Sequence, residues 1–205
     1  MTETSLQLEE AHLQETPEFR KPTNSERRSR EYLDEDEIKR LLASARKSPR
    51  HPARNHALIL TSYIHGLRVS EASGLRWRDV DLQGGRIHIQ RLKGSNSGTH
   101  PARSDELRAL RKLEKVKQSP YVFESIRGGQ LTVSGIRQLV AQLGRDAGFD
   151  FPLHPHQLRH SCGYYLANRG FDTRFIQEWL GHKSIACTVI YTQLSPNRFE
   201  GIFEE

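Results

Sequence analysis

In the middle of a chain whose apolar residues otherwise recur at helical spacing, the period drops to two. Arg86-Ile-His-Ile-Gln90 alternates polar and apolar residues directly after the turn pair Gly84-Gly85, which predicts a strand. The following LKGSNSGTH, rich in Gly, Ser and Asn, predicts a hairpin loop, and Thr99 to Ala102 a return strand that Pro101 confines to a sheet edge. An isolated hairpin does not stabilise itself in water. The expected fold is therefore mainly α with a small antiparallel β-sheet, an α+β arrangement in which helices supply the core.

The helices announce themselves by caps as well as by period. Asp34 and Glu37 make a capping-box pattern ahead of Ile38, Leu41, Leu42 and Ala45, predicting a first helix. A second covers Ala53 to Ile64 and stops at His65-Gly66; Ser70 is the expected cap of a short third carrying Glu71 and Leu75. After the hairpin, helical patterns run from Ser104 to Lys117, Thr132 to Ala147, His156 to Asn168 and Asp172 to Leu180, with a last short one from Ser184. Gly148, Gly170 and Gly181 stand where helices end, and Thr132, Asp172 and Ser184 where they begin.

A length of 205 residues suits one sizeable core with appendages. No apolar run approaches the roughly 20 residues that span a bilayer. The opening MTETSLQLEEAHLQETPEFR is acidic and polar where a secretory signal would be basic and then apolar, so a cytoplasmic location is expected. Residues 1–30, including the basic patch RKPTNSERRSR, are expected to be a disordered leader, and residues 31–205 the folded domain. Cys162 and Cys187 lie far apart in no paired motif, which argues against a disulfide framework and a cysteine-rich zinc module. The formal net charge of +6 points to a polyanionic partner.

Residues 153–163, LHPHQLRHSCG, concentrate three histidines, an arginine and a cysteine. His156 and His160 have the four-residue spacing of zinc-protease ligands. Gln157, however, stands where the catalytic glutamate would be, and Arg159 would bring a fixed positive charge beside the metal. No metal is expected. Leu153, Leu158 and Leu166 have the spacing of core residues, and His160 reads equally as a satisfied helix histidine. His156 and Arg159, three apart on one helical face, can both donate to a single anion, and the planar guanidinium fork fits phosphate oxygens.

HGLRVSE (65–71), RLKG (91–94), HPHQLRHSCG (154–163), WLGHKS (179–184) and TVIYT (188–192) occur in the order and at roughly the intervals of a tyrosine recombinase catalytic domain, which the chain resembles over nearly all of residues 32–205. RLKGSNSGTHP, LANRGFDTRFIQEWLGH and the ending NRFEGIF are similar to the short recombinases that invert a fimbrial promoter element. The resemblance implies the DNA breaking-rejoining fold and site-specific recombination through a 3′-phosphotyrosyl intermediate, with no cofactor. By position Arg68 and Arg159 would clamp the scissile phosphate, and His156 and His182 would hydrogen-bond it, with His156 also helping to take the nucleophile's proton. Lys93 would protonate the departing 5′ oxygen, Tyr191 would attack, and Glu71 would support the site by orienting an arginine or histidine.

Arg76, Arg78, Arg86, Arg91, Arg103, Arg137 and Arg174 are candidates for contacts along a duplex groove. The resemblance further implies double-stranded DNA with paired recombination sites as partner, a tetramer on DNA built from protomers that are monomeric when free, and possible use of accessory DNA-bending proteins. Larger members of the family carry a separate core-binding domain; here only 30 residues precede the catalytic domain, as in the fimbrial type. Integration or excision of a mobile element uses the same chemistry as inversion. A non-catalytic DNA-binding regulator would predict a missing nucleophile, and a zinc hydrolase would predict bound metal. Phe199, Ile202 and Phe203 are candidates for contacts between neighbouring protomers or within one.

Overall fold

A computed structural model describes residues 31–91 and 95–193. The expected leader, Lys93 and the expected tail contacts at Phe199, Ile202 and Phe203 lie outside the described residues. Eight α-helices, one turn of 3-10 helix (Trp77–Asp79) and a three-stranded sheet are seen among them, in the mainly helical arrangement that the periodicity predicts.

Helix α1 (Glu35–Lys47) begins at the capping box, with the Asp34 and Glu37 side chains accepting each other's backbone N–H at 2.8 and 3.0 Å. It lays Ile38, Leu41 and Ala45 on α2 (Pro52–Ile64). Helix α2 is buried without a break from Asn55 to Tyr63 and packs against α1, α4 (Ser104–Glu114) and α6 (Pro155–Asn168). This is why its apolar residues run all round rather than along a stripe. Each fully buried leucine or isoleucine here, such as Leu41, Leu58 and Ile59, contributes about 1.5–3 kcal/mol.

The sheet is antiparallel in the order β1 (Val80–Asp81), β2 (Arg86–Ile89), β3 (Gly98–Pro101). Ile87 pairs with His100 and Ile89 with Gly98, and β3 is the edge strand that Pro101 requires. Strand β1 was not expected from the sequence, because two residues are too few to show a period. The third helix, α3 (Val69–Gly74), also starts two residues earlier than a Ser70 cap would allow. Its first turn is capped by Glu71 reaching back to the Arg68 backbone N–H at 2.8 Å.

Helices α5 (Val133–Asp146), α7 (Thr173–Leu180) and α8 (Ala186–Gln193) complete the fold. Thr132 and Asp172 cap α5 and α7 as expected. The buried apolar residues form two clusters, a large one spanning α1 to the start of α6, and a small one of Cys162, Tyr164, Leu166, Ala167, Ile176, Leu180 and Tyr191. Helix α6 belongs to both, through Leu158 and Cys162, and the expected site residues gather at this seam. Among the described residues no helix is long and apolar enough to cross a membrane.

Candidate active site

The turn between α2 and α3 carries Arg68 and is locked from two directions. Gly66 takes φ +56°, a backbone conformation open to glycine, and a Cβ there would collide with the Leu180 side chain of α7. The Gly66 carbonyl accepts from the Arg159 guanidinium at 2.5 Å and from Arg91 at 3.4 Å. Arg159 also donates to the Leu180 carbonyl at 2.7 Å, and Arg91 to the Trp179 and His65 carbonyls at 2.6 and 2.9 Å. Two buried arginines thus bind the carbonyls left unpaired where α2 and α7 end, at the negative pole of each helix. Burial first, and then the neighbouring charges of Arg68 and Arg91, bring Arg159 down to about 10, which leaves it cationic at neutral pH.

Glu71 neutralises this centre. Its carboxylate accepts from Arg68 at 2.8 Å and from Arg91 at 2.6 Å, with side-chain exposure of only 2%. Burial raises the Glu71 carboxyl, but the Arg91 charge and the hydrogen bonds from Arg68 and Arg91 outweigh it, and the group is held below the usual carboxylate range. Arg68 itself stays 32% exposed, so one arginine of the expected clamp is open to solvent and the other is set in the wall behind it.

Tyr191 lies on α8 with its ring in the small core cluster, 1% exposed. The ring is edge-on to Tyr164 at 5.1 Å and parallel to His182 at 6.3 Å. Gly163 makes the ring's place, since a Cβ there would come within 2.7 Å of it. Burial pushes the phenol above its ordinary value, while the Arg159 charge works in the opposite direction. His182 follows Gly181, which ends α7 at φ +66°, and its Nδ1 meets Thr188 Oγ1 at 2.9 Å. Burial and then the charges of Arg159, Arg68 and Arg91 lower His182 to about 3, so it is a neutral ring at physiological pH. His156 is exposed on the first turn of α6 and packs its ring edge-to-face against His160 at 4.4 Å.

Arg68, Glu71, Arg159, His182 and Tyr191 are therefore brought together, with His156 joined through His160. Arg91 requires a correction. Expected along a duplex groove, it is 6% exposed and engaged with Glu71 and three carbonyls. The register explains this: Ile87 and Ile89 point inward from β2, and two residues further the same face presents Arg91. Of the other groove candidates, Arg78, Arg86, Arg103, Arg137 and Arg174 are exposed, whereas Arg76 is half-buried against the Tyr121 ring. Arg103 pairs with Asp105 at 3.0 Å and Arg174 with Gln177 at 3.0 Å.

Two features lay beyond the sequence reading. His160, which reads in the sequence equally as a satisfied helix histidine, has its Nδ1 3.0 Å from the Tyr191 hydroxyl; its place one turn after His156 is the available signal. A buried polar chain also joins His100 to His65 at 3.2 Å and His65 to Glu106 at 3.1 Å, with His100 against the Trp179 ring at 4.1 Å. It ties β3 and α4 to the end of α2, and alternation along β3 was the only sign of it. Among the described residues, no group of three His, Cys, Asp or Glu side chains could hold a metal ion.

Residues 31–198 match the phage integrase family. The chain belongs to that family. It is 41% identical over 186 residues to the type 1 fimbriae regulatory protein FimB of Escherichia coli K12, covering 88% of this chain and 92% of FimB. It is 42% identical over 159 residues to FimE of the same strain, covering 74% and 80%. Among solved structures it resembles XerA recombinase, with a TM-score of 0.71 and 34% identity over 82% of this chain and 61% of XerA. The XerH site-specific recombinase bound to its difH substrate in a pre-cleavage complex gives a TM-score of 0.71 at 27% identity over 85% of this chain and 55% of XerH. The chain thus spans somewhat over half the length of these two recombinases, and its helical fold with one small sheet is that of tyrosine recombinase catalytic domains.

Proposed function

We propose that this protein is a site-specific DNA recombinase that cuts and rejoins strands through Tyr191, with a fimbrial-type DNA inversion as its task. The observation that carries the reading is a buried phenol packed beside a neutral His182 and within the field of Arg159, in a chain 41% identical to a fimbriae regulatory protein. A scissile phosphate would lie between the exposed guanidinium of Arg68 and the wall formed by Arg159. These donors would neutralise the charge that builds on the non-bridging oxygens as phosphorus becomes five-coordinate. His156 and His182 supply further hydrogen bonds, and Glu71 holds Arg68 in place.

As the Tyr191 oxygen bonds to phosphorus, the bond to the 5′ oxygen breaks and that oxygen takes a proton from Lys93. The 3′-phosphotyrosyl bond conserves the phosphodiester energy, so the 5′ hydroxyl of a new partner can reseal it without nucleotide or metal. Double-stranded DNA with paired sites is the partner, four protomers form the working complex, and accessory DNA-bending proteins assist it inside the cytoplasm. Arg78, Arg86, Arg103, Arg137 and Arg174 are proposed contacts along the duplex. Incubation with supercoiled DNA carrying the flanking region of its own gene, followed by detergent, should leave protein covalently attached to a 3′ end. An adduct that persists in Tyr191→Phe would overturn this reading.

A further inference from the structure

Burial makes the Tyr191 phenol a weaker acid than a free phenol, so attack at neutral pH needs a proton acceptor within reach. Arg159 stabilises a phenolate electrostatically but has no acceptor atom. His182 lies parallel to the phenol ring at 6.3 Å and turns its Nδ1 to Thr188. His160 Nδ1, by contrast, is 3.0 Å from the phenolic oxygen, inside the range for direct proton transfer. The pair is set by packing: His160 stands on α6 one turn before Gly163, whose missing side chain admits the Tyr191 ring, and α8 packs against α6. His156 stands against the other imidazole at 4.4 Å.

We propose that His160 is the general base for the nucleophile. With its own proton on Nε2, His160 accepts the phenol proton at Nδ1 while the oxygen–phosphorus bond forms and the bond to the 5′ oxygen breaks. In resealing, the 5′ hydroxyl gives its proton back to Lys93 as its oxygen bonds to phosphorus, the bond from phosphorus to the Tyr191 oxygen breaks, and that oxygen takes its proton back from Nδ1. Among the described residues, Tyr191, His156 and His182 are neighbours of His160, and Arg159 adjoins it in the chain, so protonation of His160 before attack would both block acceptance and add to the positive charge already present. His156 is thereby left to the phosphate. The assignment rests on the strand-cleavage reading above.

His160→Asn places an amide oxygen near the Nδ1 position, an acceptor of a hydrogen bond but not of a proton. On the supercoiled flanking-region DNA, this variant should form adduct roughly 10²–10⁴-fold more slowly than wild type at neutral pH, the usual range for losing a general base. DNA binding and thermal melting should be unchanged. Its rate should climb about tenfold per pH unit up to pH ~9 as the phenol ionises unaided, and added imidazole should partly restore His160→Ala. If the Asn variant melts lower, His160→Gln is read in the same way. Cleavage by His160→Asn at the wild-type rate, or slow cleavage with the wild-type pH profile and no imidazole rescue, overturns the assignment while leaving strand cleavage by Tyr191 intact. No adduct with the wild-type protein overturns both.

Discussion

Arg159 and Tyr191 are almost equally buried, at 2% and 1% exposure, but their surroundings hold them in different ways. The arginine centre is fixed by backbone: the carbonyls of His65, Gly66, Trp179 and Leu180 take the Arg91 and Arg159 guanidinium groups, with Glu71 as counter-ion. Tyr191 is fixed by ring packing and one hydrogen bond, on a helix of eight residues tied down through His182–Thr188 and Thr173–Thr192 contacts of 2.9 Å each. Carbonyls at helix ends cannot rotate away, so the anion-binding wall is preorganised before any ligand arrives. The nucleophile's position depends on side-chain fit, and small changes in shape should move it.

If that contrast holds, the largest effect should come from the wall. Arg159→Lys keeps the charge but cannot span Gly66 and Leu180 together. Adduct formation in a single-turnover assay should fall about 10²–10³-fold, as for loss of a preorganised transition-state donor; a fall smaller than tenfold would mean that charge alone suffices. Glu71→Gln should come next, leaving Arg91 buried without its counter-ion. A loss of about 3 kcal/mol in urea unfolding is expected, and because three carbonyls still accept from Arg91, a larger loss would mean that the ion pair outweighs them.

Gly163→Ala tests the other side. Its Cβ would overlap the Tyr191 ring, which should cost about 1–3 kcal/mol of stability and slow adduct formation more than it weakens DNA binding. Equal losses in both assays would contradict a purely local displacement. The smallest effect is in acid. His182 and His100 are both held near 3 by burial, so they bind protons in the unfolded chain between pH ~6.5 and 3 but not in the folded one. Their contribution to stability is complete above pH ~6.5 and is lost as pH falls through that interval. Glu71 adds stability above the ordinary carboxylate value of about 4.3 that is lost as pH falls through its lower folded value. His182→Gln should flatten the upper part of the acid limb in melting experiments, and Glu71→Gln the part below pH ~4.

Much of this was readable along the chain because it is local. Caps, the glycine at each helix end and the change of period near Arg86 depend on neighbours a few residues away, and they placed nearly every helix within three residues of its observed bounds. The missed elements were local failures too: β1 is too short to carry a pattern, and the cap of α3 is a carboxylate three residues inside the helix instead of a serine in front of it. For the site, the motif positions named Arg68, Glu71, His156, Arg159, His182 and Tyr191. Arg91 differs from its expected place on the groove because an arginine's charge does not by itself imply exposure, and alternation from Ile87 and Ile89 aims it inward, onto Glu71.

By itself, then, the sequence determined the residue types, their spacing and the helices that carry them, because backbone preference and side-chain chemistry act over short stretches of chain. Only the tertiary structure decided which groups would share one charge and one proton. Glu71 and Arg91 are 20 positions apart, Gly66 and Arg159 are 93 apart, and His160 and Tyr191 are 31 apart. Contacts at such separations are set by how α3, α6, α7, α8 and the end of β2 meet where the two apolar clusters adjoin, which no local pattern encodes.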